Sequence, residues 1–439
     1  MVWVGQWVTL WRERLWPEAL AMARSPTARN SAIVFAGHLL TAGLGFVAVL
    51  VVSRTLGPAN FGLFSAAQAV ILVVSGVADL GLSITIVRFV ARDLHVDQHR
   101  AHLTLQTATG VRLAMVVLIM LLGWPLAQAT VRWGLGGQGS PAFAWLALIG
   151  AAVTLILNFQ VAIFQAYQRF LRLSAWTVGM NVLKLALVAG LWWLGWLRAG
   201  SALVAYVLAT TVTVLVAWIF LPRRFLRQPA AAGERRAALS ALFGFSKWVT
   251  VNYVAAVLAS RVDIFLLAHF RGPTEVGLYS AAFQLAMVFP LLAGALFIVL
   301  LPHVSQMQGK VQLQAFMRRT LAVSGIGLLL ALPAILFASP LVHLLFSARY
   351  AASAGIFQVL CLNFVLALVI QPLSTVLYAT DRPDAMAAVT GLQLVLAVAG
   401  NWLLVPLYGG LGAAWAAVAV TLVGGALTVG LAWRQVRSQ

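Results

Sequence analysis

The sequence predicts an all-α integral membrane protein, with about twelve transmembrane helices in two six-helix lobes. Three observations lead there: composition, the placement of basic residues, and an internal repeat. Of 439 residues, 62% are apolar and 9% are charged. A soluble chain carries roughly 25% charged residues, so this one cannot cover itself with a water-facing surface. A soluble enzyme, a secreted protein and a disordered chain are excluded. A bilayer core about 30 Å thick needs roughly 20 apolar residues per helical span. The apolar segments reach that length, whereas barrel strands would be about ten alternating residues.

The elements follow in order. Residues 1–29 are expected to form a cytoplasmic amphipathic segment. Trp3, Trp7 and Trp11 recur every four residues on one helical face, with Arg12 and Arg14 off it, the pattern of a helix lying in the membrane interface. No compact apolar stretch precedes a small-residue cleavage site, so a signal peptide is not expected. Residues 30–221 form the N-lobe, with spans near 32–53, 62–87, 108–131, 142–165, 174–197 and 201–221. Residues 222–238 are rich in Arg and Ala with Pro222 and Pro229, and read as a cytoplasmic linker. Residues 239–439 form the C-lobe, with spans near 247–268, 277–304, 320–346, 354–379, 385–407 and 410–433.

Basic residues orient the bundle, because Lys and Arg concentrate in cytoplasmic loops. With the N-terminus inside, the inner segments hold twenty Lys or Arg, among them Arg88, Arg92, Arg100, Arg223, Arg224 and Arg319. The outer loops hold five: Arg54, Arg132, Arg198, Arg271 and Arg349. The alternation runs loop by loop, which supports the span count and places both termini in the cytoplasm. It also accounts for the net charge of +19 through loops facing anionic lipid rather than nucleic acid. The single cysteine, Cys361, makes no internal disulfide.

The repeat divides the chain. Residues 57–67 read GPANFGLFSAA and residues 272–282 read GPTEVGLYSAA, identical at seven of eleven positions with an offset of 215. Each copy follows the first span of its lobe and enters the second. Six spans separate the copies, so they run the same way through the membrane. Parallel repeats of this kind build transporters whose substrate site lies between the lobes.

These residues also carry a resemblance. The run from Arg54 through Gly57-Pro58 to Ala67, followed by Asp79-Leu-Gly-Leu, resembles the start of polysaccharide (Wzx-type) flippases. Arg261-Val-Asp-Ile-Phe-Leu-Leu, followed by the second Gly-Pro motif, looks like the matching signature of the second lobe. The family belongs to the multidrug/oligosaccharidyl-lipid/polysaccharide (MOP) exporter superfamily. The resemblance implies a MATE-like, V-shaped, two-lobed fold with a central cavity. It implies export of a polyprenyl-diphosphate-linked oligosaccharide across the bacterial inner membrane by alternating access, driven by an ion gradient of H+ or Na+. It implies membrane lipids and polysaccharide-assembly proteins as partners.

Ionisable residues at membrane depth cost at least about 2.5 kcal/mol at a helix centre, so each is a candidate site. Gln68, Ser75, Asp79 and Ser83 fall on one stripe of span two. Asp79 reads as a coupling site, as a counter-charge to a cavity arginine, or as a structural carboxylate. In span seven, Lys247 and Arg261 share one face, while Asn252 and Asp263 share the other. Arg261 is expected to meet an anionic headgroup, and Asp263 to hold the helix against a neighbour or to titrate. Lys184 lies on a stripe with Thr177 and Asn181, and either lines the cavity or pairs with an acid such as Asp79. Arg112, near the cytoplasmic end of span three, and Arg54, beside the first Gly-Pro turn, complete the substrate-binding candidates. A diphosphate presents concentrated negative charge, which Arg meets with a planar fork and Lys with a point charge.

Three other functions fit the sequence less well. A membrane glycosyltransferase or polymerase needs an outer-face acid or base, and the outer loops hold Glu275 alone. A multidrug antiporter of the same fold favours cationic cargo, against four Lys/Arg and two Asp at depth. A scaffold has no use for buried cations. The seven histidines show no metal-ligand spacing and no P-loop is present, so no catalysis, metal or cofactor is expected.

Overall fold

The computed structural model describes residues 26–221, 232–290, 331–379 and 383–438, and these are helical without a strand. The N-lobe comprises α1 (Pro26–Asp79), α2 (Leu82–Val96), α3 (Gln98–Leu121), α4 (Gly123–Ala129), α5 (Pro141–Ala166), α6 (Phe170–Trp193) and α7 (Ala199–Phe220). The C-lobe comprises α8 (Ala232–Ala259), α9 (Val262–Arg271), α10 (Pro273–Ala286), α11 (Ala338–Phe346), α12 (Ser353–Ala379) and α13 (Pro383–Ser438). Helix α8 starts inside the stretch 222–238 expected as linker. The tryptophan-striped segment lies outside the described residues, apart from the start of α1 at Pro26.

Two apolar stretches, Phe35–Asp79 within α1 and Ala387–Gly430 within α13, run 45 and 44 residues. At 1.5 Å per residue each is long enough to cross twice. Each is two helices joined across a kink at one residue: Gly57, with φ 71° and ψ 173°, and Gly409, with φ 57° and ψ −133°. Gly272 adopts almost the conformation of Gly57, with φ 80° and ψ 179°. The repeat in sequence is therefore a repeat in backbone geometry. Glycine is needed because a side chain would clash at positive φ. The proline after it starts the next helix, where its missing N–H costs nothing.

The two copies of the repeat pack directly on each other across the lobe boundary. A β-carbon on Gly62 would sit 1.7 Å from the Pro273 carbonyl oxygen, and one on Gly277 would sit 1.9 Å from that of Pro58. Gly62 and Gly277 are equivalent positions of the repeat, so the contact is reciprocal. Around it, the Tyr350 hydroxyl donates to the Ser53 carbonyl at 2.9 Å, and Trp133 stacks on His269 at 4.6 Å. The lobes thus close at the Gly-Pro end through bare backbone, the approach that glycine permits between membrane helices.

They meet again toward the linker end. Helix α1 stops at Asp79, Leu80 and Gly81 take φ of 51° and 69°, and α2 resumes. The break frees the Leu80 carbonyl, which accepts from the Thr250 hydroxyl of α8 at 2.7 Å. Gly76 abuts Val257, and Gly81 abuts Tyr253. A smaller core of Leu82, Ile86, Leu105, Phe159 and Ile163 holds this end of the N-lobe together.

Candidate functional site: a cationic cavity between the lobes

Between these two contacts lies a cavity of about 520 Å³, walled by α1, α5, α6 and α7 on one side and α8–α10 on the other. Its described lining holds two cations, Lys184 and Arg261, and no carboxylate. One cation comes from each lobe. Each rests on an aromatic ring: Lys184 Nζ lies 5.2 Å from the Tyr206 ring centroid and Arg261 Cζ 5.0 Å from that of Phe283. Such contacts steady a cation without cancelling its charge. Ser65, Gln68, Thr154, Asn158, Ser280 and Gln284 add neutral polar groups.

Arg261 owes its position to a second helix break. Helix α8 ends at Ala259 and α9 begins at Val262, so Ser260 and Arg261 form a turn. The regular 100° spacing that joined Lys247 to Arg261 on one face is interrupted there. Arg261 nevertheless reaches the cavity, while the Lys247 side chain lies outside the described residues. Asp263, just past the break, accepts the Tyr279 hydroxyl and the Ile264 N–H. It ties α9 to α10 beneath Arg261.

The stripe of span two also splits. Gln68 and Ser75 line the cavity, but Asp79 stands at the Leu80–Gly81 break, outside its lining. Asp79 is fully buried and accepts the Ser83 hydroxyl at 2.6 Å and the Ser83 N–H at 3.2 Å, at the open start of α2. A carboxylate is favoured there by the helix dipole. The Arg112 guanidinium, 2% exposed, pairs with Asp79 and donates to Ser83 Oγ at 2.8 Å. Arg112 was expected to meet substrate; the structure places it in this internal ion pair, outside the cavity lining.

Arg54 is likewise engaged elsewhere. It donates to the Leu344 and Leu345 carbonyls at the end of α11, bridging the lobes at the Gly-Pro end. Arg271 does the same for the carbonyls of Val405, Pro406 and Leu407, beside the kink of α13. Thr177 and Asn181 bond to carbonyls of their own helix, leaving Lys184 as the member of that stripe that enters the cavity. Tyr206, the ring beneath Lys184, was not singled out from the sequence. A tyrosine in an apolar run carries no signal until its neighbour across the lobe is known.

A two-lobed bundle of about twelve spans around a shared polar cavity defines a multi-pass membrane transporter. Its fold is that of the MOP superfamily. The lipid II flippase MurJ, in an inward closed conformation, superposes with a TM-score of 0.74 at 13% identity, over 91% of this chain and 87% of MurJ. An inward-facing MATE-family multidrug resistance transporter gives 0.68 at 18% identity, over 91% and 94%. Residues 27–308 match the family model described as polysaccharide biosynthesis protein, and the chain belongs to that family. A probable low-salt glycan biosynthesis flippase, Agl15 of Haloferax volcanii, is 25% identical over 400 residues, 88% of this chain and 79% of the relative.

Proposed function

We propose that the protein is a flippase for a polyprenyl-diphosphate-linked oligosaccharide. The observation that carries this is the pair of cations, one per lobe, facing a common cavity whose described lining holds no acid. A diphosphate joined at both ends keeps two negative charges at neutral pH, one for each cation. At low dielectric each attraction is several times stronger than in water. The sugars occupy the polar cavity while the prenyl tail stays in lipid. A cationic drug, the cargo of a multidrug antiporter, is repelled by the same lining, and the family relatives are flippases rather than glycosyltransferases.

On this reading the Gly-Pro end faces outward and the linker end faces the cytoplasm, with both termini on the cytoplasmic side of the bacterial inner membrane. The lobes, residues 30–221 and 239–439, alternate access by separating at one end or the other. A gradient of H+ or Na+ drives the cycle. Asp263, within electrostatic reach of Arg261, is the carboxylate through which a bound cation changes the charge beside the substrate. Asp263→Asn then lowers the dependence of transport on the gradient; dependence equal to wild type would remove Asp263 from that role.

The test is translocation in proteoliposomes. Purified protein should move a fluorescent polyprenyl-diphosphate oligosaccharide between leaflets faster than protein-free vesicles do. Lys184→Glu and Arg261→Glu should abolish this at normal expression. No acceleration by wild type, or wild-type rates in both variants, would overturn the proposal.

A further inference from the structure

Away from the central cavity, another of about 260 Å³ opens where the lobes meet at the linker end. Helices α2 and α3 of the N-lobe wall one side and the start of α8 the other. Phe89, Leu103 and Leu242 make its surface partly apolar. Its polar groups divide by what they offer. Asp93 is tied to Arg92 through Oδ1 at 2.7 Å, and its Oδ2 lies 3.8 Å from Arg100 Nε. Thr104 gives its hydroxyl proton to the Arg100 carbonyl at 2.9 Å, so lone pairs are what it has left. Glu234 reaches across from the C-lobe, with Oε1 3.8 Å from His99 Nε2. Three acceptors, drawn from both lobes, thus line one pocket. Its cation is Arg100. A separation of 3.8 Å is too long for a direct hydrogen bond, so this guanidinium keeps donors for an anion. Arg92, by contrast, is engaged by Asp93 and lies 5.0 Å from the Phe89 ring centroid.

We propose that this pocket binds the headgroup of a zwitterionic phospholipid with a primary ammonium, and that the lipid clasps the lobes together at the linker end. A primary ammonium carries three N–H donors, matched here by Asp93, Thr104 and Glu234. The adjoining phosphate meets Arg100 in a charge-assisted bond. The apolar side chains take the glycerol and the first methylenes. Leu103 and Thr104 lie near the start of Gln98–Leu121, a helix long and apolar enough to cross a membrane, which sets the pocket at headgroup level. A volume of about 260 Å³ falls just below the range of about 300–1,000 Å³ for drug-sized ligands, so it suits a headgroup and not the sugars of the cargo. A headgroup without an ammonium would face two carboxylates unpaired, and a choline headgroup has no N–H to give. Because both lobes supply acceptors, the lipid binds the closed seam better than the parted one, and binding shifts the lobes toward closure there. The proposal concerns a lipid that is not cargo; it rests on the linker end facing the cytoplasmic leaflet, not on what the central cavity carries.

The test is native mass spectrometry of delipidated full-length protein with phosphatidylethanolamine, phosphatidylcholine and phosphatidylglycerol of identical acyl chains. Wild type should retain the ethanolamine lipid over the other two by about threefold or more, the worth of one partly exposed charged contact. Glu234→Gln removes a charge, and Ala238→Leu fills the pocket without touching one; each should erase the preference. Water-soluble glycerophosphoethanolamine at equal concentration should leave the lipid in place. With Cys361→Ala, spin labels on Gln98→Cys and Ser240→Cys, both exposed, report the separation across the seam. The ethanolamine lipid should shift that distribution toward the shorter distance, and less so with Glu234→Gln. Equal retention of the three lipids, stronger retention of the glycerol or choline lipid, variants that keep the preference, displacement by the soluble headgroup, or distances indifferent to lipid would each overturn the proposal. None of these readouts contains cargo, so their failure leaves the flippase reading standing, and failure of translocation in proteoliposomes leaves this one standing.

Discussion

Two kinds of buried charge coexist in this bundle, and their surroundings separate them. Arg112 has a carboxylate, a hydroxyl and an aromatic face at hand, with Phe159 5.9 Å from its guanidinium carbon. Lys184 and Arg261 have aromatic faces and an open cavity. The first is an internal pair, and the second set faces the cavity, with Asp263 within electrostatic reach of Arg261. Breaking a buried pair by removing one partner costs roughly 3–5 kcal/mol, because the other charge is stranded. Asp79→Asn should therefore lower the unfolding temperature of the purified protein markedly, and adding Arg112→Leu should recover a large part of the loss. An unchanged melting temperature in Asp79→Asn would contradict the structural role assigned to the pair. That Asp79, Lys184 and Arg261 are charges set within the helix bundle was legible in the sequence, since charge in an apolar run stands out. Which of them pairs internally was not: Arg112 and Asp79 lie on different spans, and only packing brings them together.

At the scale of elements, single residues set where helices break and where lobes touch. The Gly-Pro turns were readable because a glycine before a proline has few other uses in a membrane helix. The breaks at Leu80–Gly81 and Ser260–Arg261 were not. Each falls in a run whose composition suits an unbroken span, and the Leu80 break is held by a tertiary bond, from Thr250 to the freed carbonyl. Stripes drawn at 100° per residue are therefore sound up to each break and lose register beyond it; Gln68, Ser75 and Asp79 lie before the break, and Asp79 leaves the cavity lining because it is the last residue of α1. The reciprocal glycine contact gives a sharp prediction. Gly62→Ala places a methyl group where the Pro273 carbonyl stands, and Gly277→Ala does so at Pro58. Backbone cannot yield as a side-chain tip can, so either substitution should hold the lobes apart at the Gly-Pro end. Transport should fall at least tenfold, and a thiol reagent should reach Ser65→Cys more readily. Wild-type transport and labelling in both variants would contradict a gate at this contact.

At the scale of the whole molecule, the proposed topology of about twelve spans with a parallel repeat leaves both termini and the linker on one side. In a background with Cys361 replaced by Ala, Gln138→Cys and Ala230→Cys should react with an impermeant thiol reagent from opposite faces of intact vesicles; labelling from the same face would disprove the topology. Position 138 suits this purpose better than Gly136, whose β-carbon would strike the Ala268 carbonyl. The architecture was legible in the sequence because length, charge alternation and repeat are whole-chain signals. The cavity's full lining was not, since it draws residues from seven helices of both lobes. The central claim is that two cations, one from each lobe, jointly hold a diphosphate. A double-mutant binding cycle with decaprenyl diphosphate and its monophosphate on wild type, Lys184→Ala, Arg261→Ala and the double variant tests it most directly. The account predicts that each single variant loses about tenfold for the diphosphate, that the double variant loses more, and that wild type prefers diphosphate over monophosphate. Equal affinity of all four proteins for the diphosphate would contradict it.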